Sequence, residues 1–114
     1  MWVFSKLGFF SVVQDRNDKY TVIVRARVAA DLDNLRNEYL DDLGPTIEGA
    51  GTDYRYRAYV SKDLFANALQ NIAIDIDYGN FKDEVQRVQG PVRCNAYHKV
   101  WDVMRMFADG RRRG

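Results

Sequence analysis

The stretch YTVIVRARV, residues 20–28, and the stretch YRYRAYV, residues 54–60, decide the fold class of this chain. Successive side chains of a β-strand point to opposite faces, and both stretches alternate with that period of two. Each is therefore predicted to be a strand with two arginines on one face and apolar residues on the other. If the two strands share a sheet, their arginines form one patch, which we call the arginine face. Its residues are Arg25, Arg27, Arg55, Arg57 and Tyr59.

Strand-forming residues also precede the first stretch. Residues 2–14 are predicted to be extended, with a bulge or tight turn at Lys6-Leu7-Gly8, because an isolated glycine in a strand pattern often marks one. The polar cluster at residues 15–19 is predicted to close a hairpin with residues 20–28. The chain thus begins with paired antiparallel strands.

Helical spacing follows each arginine stretch. Asp31 is predicted to cap a first helix that Gly44-Pro45 ends, and a short edge strand is predicted at residues 46–48, before a loop at residues 49–53. Ser61 and Asn80 are predicted to cap a second and a third helix, since short polar side chains satisfy the first free N–H groups.

The last helix is predicted to start at Gly90-Pro91, because proline suits the first helical position, and to end at Gly110. Apolar residues at helical spacing mark its predicted buried side. They are Val92, Ala96, Val100, Val103, Met104 and Phe107.

This order of elements predicts an α+β fold. We expect a single domain over residues 1–110, with a mainly antiparallel sheet of three to four strands, helices packed on one face and a C-terminal helix. Residues 111–114 are predicted to be a basic flexible tail. The arginine face would lie on the side of the sheet away from the helices.

Composition narrows the class of protein. The 114 residues carry a formal net charge of +1, and Arg111, Arg112 and Arg113 supply three of the positive charges, so the rest of the chain is slightly acidic. A dedicated nucleic-acid binder usually has a clear basic excess. The single cysteine, Cys94, excludes a disulfide framework within the chain and fits a reducing compartment. The start of the chain has no signal-peptide pattern and no apolar run approaches a membrane span, so we expect a cytoplasmic protein.

The arginine face allows three interpretations. Guanidinium groups bind carboxylates and phosphates in a bidentate way, so the face can dock an acidic protein. Arginines among aromatic rings can also hold single-stranded nucleic acid or a nucleotide. Finally, the arginines can simply pair with cross-strand acids on a solvated sheet face.

Two other groups of residues carry reactive side chains. Residues 75–82 gather Asp75, Asp77, Tyr78 and Lys82 around a glycine, which could hold Mg²⁺ or an anion, although a helix exit followed by a cap explains the same pattern. Cys94, His98 and Asp102 share one helix face. A half-buried cysteine and a histidine bonded to Asp102 explain that row better than a catalytic triad, whose members converge from separate elements.

Five strings in order carry a resemblance over almost the whole chain: MWVF at 1–4, VRAR at 24–27, DYRYRA at 53–58, IDYGNFK at 76–82 and YHKVW at 97–101. Together they resemble a group of short bacterial and phage-borne hypothetical proteins. The resemblance implies a bacterial or phage origin and a cytosolic setting. It implies no catalytic residue.

From these patterns we predict a small non-enzymatic binding or regulatory module that docks an acidic protein. The predicted binding residues are the arginine face together with Tyr78 and Lys82; no catalytic residue, metal or cofactor is assigned. Single-stranded nucleic-acid or nucleotide binding on the same face is the first alternative, and a small enzyme using residues 75–82 is the second. A homodimer through an edge strand and the tyrosine-rich face is a further alternative, which would hide the arginines.

Overall fold

The computed structural model describes residues 1–49 and 53–113, with the backbone alone at residues 111–113. The chain divides into two compact units, Met1–Asp77 and Tyr78–Gly114, and each is described by itself. The first holds β1 (Trp2–Phe4), β2 (Phe9–Asp15), β3 (Asp18–Ala26), α1 (Ala29–Glu38), β4 (Ile47–Glu48), β5 (Tyr56–Ser61) and α2 (Lys62–Ile74). The second holds α3 (Phe81–Gln89) and α4 (Pro91–Arg113).

Among the described residues, five strands form one antiparallel sheet in the order β1-β2-β3-β5-β4. The predicted α+β class, antiparallel sheet and C-terminal helix are confirmed, and the sheet has one strand more than the three to four expected. The extra strand arises because the turn at Ser5–Gly8 folds residues 2–14 into two strands, with backbone hydrogen bonds between Ser5 and Gly8 in both directions.

The hydrophobic core lies on one face of this sheet. Val22, Val24 and Ala58 alternate with exposed or half-buried neighbours, as the period-two pattern predicts. They pack against Leu32 and Leu35 of α1 and against Phe65 and Ala68 of α2 in one buried cluster. The opposite face, which carries Arg25 and Arg57, is the arginine face.

The start of α1 differs from the prediction. The N-cap position belongs to Val28, which makes no side-chain capping bond. Asp31 lies inside the first turn, is 2 % exposed, and accepts a hydrogen bond from the backbone N–H of Phe9 at 3.1 Å. The carboxylate therefore ties α1 to β2. The helix also ends early, at Glu38 and not near Gly44.

The caps of the next two helices are confirmed. Ser61 Oγ accepts from the N–H of Leu64 at 3.3 Å, and Asn80 Oδ1 accepts from the N–H of Asp83 at 3.0 Å. The short edge strand is also present as β4. Of the loop predicted at residues 49–53, residues 50–52 lie outside the described residues.

In the second unit, α3 packs on the first half of α4. Val85 is fully buried and Tyr97 is 7 % exposed, and the rings of Phe81 and Tyr97 stack at 5.9 Å. The predicted buried side of α4 is wrong along the whole helix: all six of its residues are exposed, and Val92, Val103, Met104 and Phe107 are more than half exposed. The helix also continues through Gly110 to Arg113. The predicted flexibility of residues 111–114 stays untested, and Gly114 lies outside the described residues.

A membrane-crossing helix is not found in the described part of the chain, since none of the helices there is both long and apolar enough.

Candidate functional site

Strand register brings the centre of the arginine face together. Arg25 in β3 and Arg57 in β5 are direct cross-strand partners, and Tyr59 lies two residues along β5, opposite Ile23. Direct partners in an antiparallel pair project from the same face with Cβ atoms about 5 Å apart. Arg27 lies just after β3 and Arg55 just before β5, so the other two arginines flank the sheet at the same end of these strands.

Arg25 is held by the neighbouring strand. Its Nη2 donates to Ser11 Oγ at 2.7 Å, and its Nε donates to the Ser11 carbonyl at 3.4 Å. Ser11 is the register partner of Arg25 in β2 and is only 1 % exposed. These bonds fix the half-buried Arg25 side chain on the arginine face. Ser11 has no unusual sequence signal, and the prediction missed it.

Tyr54 supports two of the arginines. The Cζ atoms of Arg25 and Arg27 lie 4.7 and 4.9 Å from the centroid of its ring, within the range of a cation–π contact. The Tyr54 side chain is buried at 8 % exposure, so the ring is a rigid support. Tyr54 is the first residue of the strand predicted at residues 54–60, but β5 begins at Tyr56. Strand alternation therefore does not predict where the Tyr54 ring lies or that it contacts two arginines.

Arg55 behaves as a solvated surface residue. Its Nη2 pairs with Glu48 Oε1 at 2.9 Å, and both side chains are more than half exposed. Exposed pairs of this kind contribute roughly 0–1 kcal/mol to stability. The interpretation of arginines paired with acids on neighbouring strands therefore applies to Arg55.

Aromatic rings continue the arginine face towards β1. Phe9 stacks on Phe4 at 4.5 Å, contacts Trp2 edge-to-face at 5.9 Å, and approaches the ring of Tyr54 at 6.3 Å. Trp2 is 67 % exposed. The arginine face thus joins aromatic and cationic groups, which is typical of sites that bind anionic partners.

Residues 75–82 are divided between the two units. In the first, the Tyr39 hydroxyl donates to Asp75 Oδ2 at 2.8 Å. In the second, Lys82 Nζ lies 3.1 Å from His98 Nδ1 and 4.9 Å from the Trp101 ring centroid, and Tyr78 lies 6.4 Å from the ring of Phe81. Asp75 and Lys82 thus have separate partners within their own units.

The bond to Asp75 gives Tyr39 a measurable signature. The hydrogen bond, partial burial and the negative charges of Asp75, Glu38 and Asp77 raise the pKa of Tyr39 from 10.0 to about 12. Because the folded-state pKa is the higher one, the neutral phenol stabilises the fold fully below pH 10, and this contribution is lost as the pH rises towards 12.

The phenolate absorbance of the wild type minus that of Tyr39→Phe reports the ionised fraction of Tyr39. At a pH midway between 10.0 and 12, we expect this difference to be close to zero. In Asp75→Asn the same difference should appear near pH 10, because the main cause of the raised pKa is gone. Ionisation near pH 10 in both backgrounds would contradict the hydrogen bond.

The predicted row on α4 is present, but its contacts differ. Cys94 Sγ–H donates to the Lys82 carbonyl at 3.4 Å, and the His98 ring stacks on Trp101 at 5.4 Å. Asp102 pairs with Arg105 at 3.4 Å and not with His98, so the expected histidine–aspartate bond is wrong. His98 instead has Lys82 Nζ 3.1 Å from its Nδ1.

An open cavity of about 280 Å³ lies between the end of α1 and α2. Its lining includes Glu38, Asp41 and Asp42, beside Asn67 and Asn71. Among the described residues, no three His, Cys, Asp or Glu side chains are grouped so that they could hold a metal ion, which includes these acids.

Comparison of the chain with protein-family models, with curated proteins and with solved structures finds no match. The resemblance to short bacterial and phage-borne proteins stays a prediction.

Proposed function

We propose that the protein is a small non-enzymatic binding module whose arginine face docks an acidic protein partner. The observation that supports this most is the direct cross-strand pairing of Arg25 with Arg57. Like charges opposite each other destabilise a sheet. A guanidinium also donates bidentate hydrogen bonds to a carboxylate, so adjacent arginines suit an acidic partner.

The contacts of the arginine side chains support the same proposal. Ser11 holds Arg25, and Tyr54 lies against both Arg25 and Arg27. Because these side chains are already ordered in the free protein, binding a partner costs less side-chain conformational entropy. Guanidinium groups stay protonated at all physiological pH values, so they suit binding of anions and not proton transfer. The proposal includes a cytoplasmic location, which fits the single free cysteine.

Single-stranded nucleic acid is the second candidate, favoured by the exposed ring of Trp2, which contacts Phe9 at the β1 side of the arginine face. Two features favour the protein partner over it. The net charge of +1 is low for a nucleic-acid binder. Phe4 and Phe9 stack on each other, and guanidinium groups lie over the Tyr54 ring, so few ring faces are open to bases.

The test compares two fluorescent probes by anisotropy: a poly-glutamate peptide and a single-stranded oligothymidylate. We expect the peptide to bind at low salt and the oligonucleotide to bind at least about tenfold more weakly at equal ionic strength. Tight oligonucleotide binding, with log K falling by about 0.7 per phosphate contact for each unit of log salt, would favour the second candidate. Binding of neither probe would contradict both.

A further inference from the structure

The second half of α4 presents an apolar surface. Five large apolar side chains lie along one side of the helix, at the spacing of three and four residues that brings helical neighbours together. Each of these residues is between 39 and 62 % exposed. We call them the α4 apolar face; they are Val100, Trp101, Val103, Met104 and Phe107.

Packing of α3 does not bury this face. The ring of Phe81 stacks on Tyr97, and Lys82 Nζ lies 3.1 Å from His98 Nδ1, so these contacts with α3 come from the part of α4 that precedes the face. Lys82 Nζ also approaches the face at Trp101, 4.9 Å from the ring centroid. Contiguous exposed apolar residues of this kind mark sites of interaction with a protein or a membrane.

The same helix is strongly basic. It holds six arginine or lysine residues and two aspartates, a net charge of +4, whereas the whole chain carries only +1. Both aspartates pair with Arg105, Asp102 at 3.4 Å and Asp109 at 3.3 Å, and these three residues form a polar side of the helix. The other basic residues stand at the two ends of the apolar face, at positions 93 and 99 before it and at 111–113 after it.

A second copy of α4 does not complement this distribution of charge. In a parallel pair of helices, the three arginines at 111–113 of each copy would be neighbours. In an antiparallel pair aligned on the apolar face, they would meet the first part of the other helix, where residues 91–101 include Arg93 and Lys99 but no acid. Like charges at an interface are unfavourable in either arrangement, so the basic helix requires an anionic partner.

The width of the apolar face favours a membrane over a protein groove. Successive residues of a helix are about 100° apart, so Trp101 and Val103 stand about 160° apart and the face takes up nearly half of the circumference. A groove reads a narrower stripe of anchors at i, i+3 or i+4, and i+7. A helix at a membrane surface buries a broad apolar side that includes Trp and Phe, and keeps its basic residues near anionic headgroups.

We infer that α4 lies on an anionic membrane surface, with its apolar face at the boundary of the acyl chains and its basic ends near the headgroup charges. A helix of this type lies in the membrane surface and does not cross the bilayer. The cytoplasmic leaflet carries the anionic lipids that such a helix needs. This binding uses the second unit, so it does not rest on the arginine face or on the proposed function.

Tryptophan fluorescence with lipid vesicles tests the position of α4. The chain has two tryptophans, so in Trp2→Phe the emission comes from Trp101 alone. With vesicles of phosphatidylcholine mixed with phosphatidylserine, we expect this emission to shift to the blue and to be quenched by brominated acyl chains. With vesicles of phosphatidylcholine alone, the emission should stay unchanged.

A double variant then tests the apolar face. Val103→Ser with Met104→Ser should lower the partition of the protein into mixed vesicles by at least about tenfold, because two side chains lose their burial among lipid. The matched control is Ile74→Ser with Ile76→Ser, which changes residues 68 % and 54 % exposed in the first unit and should bind like the wild type. All four positions are exposed, so both variants should keep the fold, which circular dichroism checks.

Vesicle binding that leaves Trp101 unquenched, or that the Val103→Ser, Met104→Ser variant retains in full, would show adsorption through another cationic surface such as the arginine face. Either result would overturn the inference and leave the proposed function standing. Absence of binding, or equal binding to both kinds of vesicle, would overturn it as well. Sedimentation of the wild type as a dimer that this variant dissociates would show that a second copy covers the face, and this too would overturn the inference.

Discussion

Replacing Gly8 with alanine is expected to destabilise the Met1–Asp77 unit by about 4 kcal/mol. Gly8 has a φ of +154°, and an added Cβ would overlap Cγ and Cβ of Asp31. Backbone strain of this kind costs about 1–3 kcal/mol, and forced overpacking costs a similar amount. Asp31 cannot easily move away, because it is buried in α1 and accepts from the N–H of Phe9. Urea unfolding followed by circular dichroism measures the change.

Two other glycines separate the cost of backbone strain from the cost of the overlap with Asp31. Gly49 has a φ of +83° but open space around its Cβ position, so Gly49→Ala reports backbone strain alone. Gly79 has open space and no positive φ, so Gly79→Ala should change stability by less than about 1 kcal/mol. If Asp31 is the obstacle, Gly8→Ala should cost less in an Asp31→Ala background than in the wild type. A loss at Gly8 no larger than at Gly49 would show that the contact with Asp31 is unimportant.

The role of Asp31 could not be predicted from the local sequence. A short acid at the start of a helical pattern predicts a cap, and Ser61 and Asn80 confirm that such local signals are reliable. Asp31 instead bonds to a backbone group 22 residues earlier in the chain. That choice depends on how the β1–β2 turn packs on α1, which a local pattern does not contain.

The arginine face could also be predicted only in part from the sequence. Alternation predicts which side of a strand each arginine occupies, and that was enough to place Arg25 and Arg57 on the face opposite the core. It does not predict register, so the direct pairing of these two residues could only be found in the structure. The support from Ser11 and Tyr54 is likewise a contact between distant parts of the chain.

Helical periodicity has a related limit. The spacing of Val100, Val103, Met104 and Phe107 predicts an apolar side of α4, and α4 is a helix over these residues. Periodicity identifies such a side but not a partner for it. Within the second unit α3 is only nine residues long, and these four residues remain at least 39 % exposed.

Reversing the charge of all four arginines is expected to abolish binding of the poly-glutamate probe, with a loss of at least about 100-fold. Each arginine changed to glutamate replaces an attraction by a repulsion, and like-charge contacts at an interface cost several kcal/mol in total. The variant carries Arg25→Glu, Arg27→Glu, Arg55→Glu and Arg57→Glu. Anisotropy at low salt measures the loss, and circular dichroism checks the fold.

A matched control applies the same change in net charge outside the arginine face. Its four positions are exposed basic residues: Arg16, Lys62, Lys99 and Arg105. General electrostatic attraction to the whole protein would weaken in both variants alike, whereas a docking site on the sheet would be lost only in the first. Equal losses in the two variants would therefore contradict the proposed site even if the probe binds the wild type.

A second variant separates the loss of charge from the loss of folding. Arg25→Glu removes the N–H group that donates to Ser11 Oγ, and it places a carboxylate beside that buried hydroxyl. Changing the four arginines to glutamine removes the charge and keeps a polar N–H donor, which ends two bonds short of the Nη2 that bonds Ser11. We expect this variant to fold like the wild type and to lose at least about tenfold in affinity. Wild-type affinity in the folded glutamine variant would mean that the arginines only solvate the sheet, as Arg55 does through Glu48. The free energy that Ser11 and Tyr54 contribute to holding Arg25 would then serve stability alone.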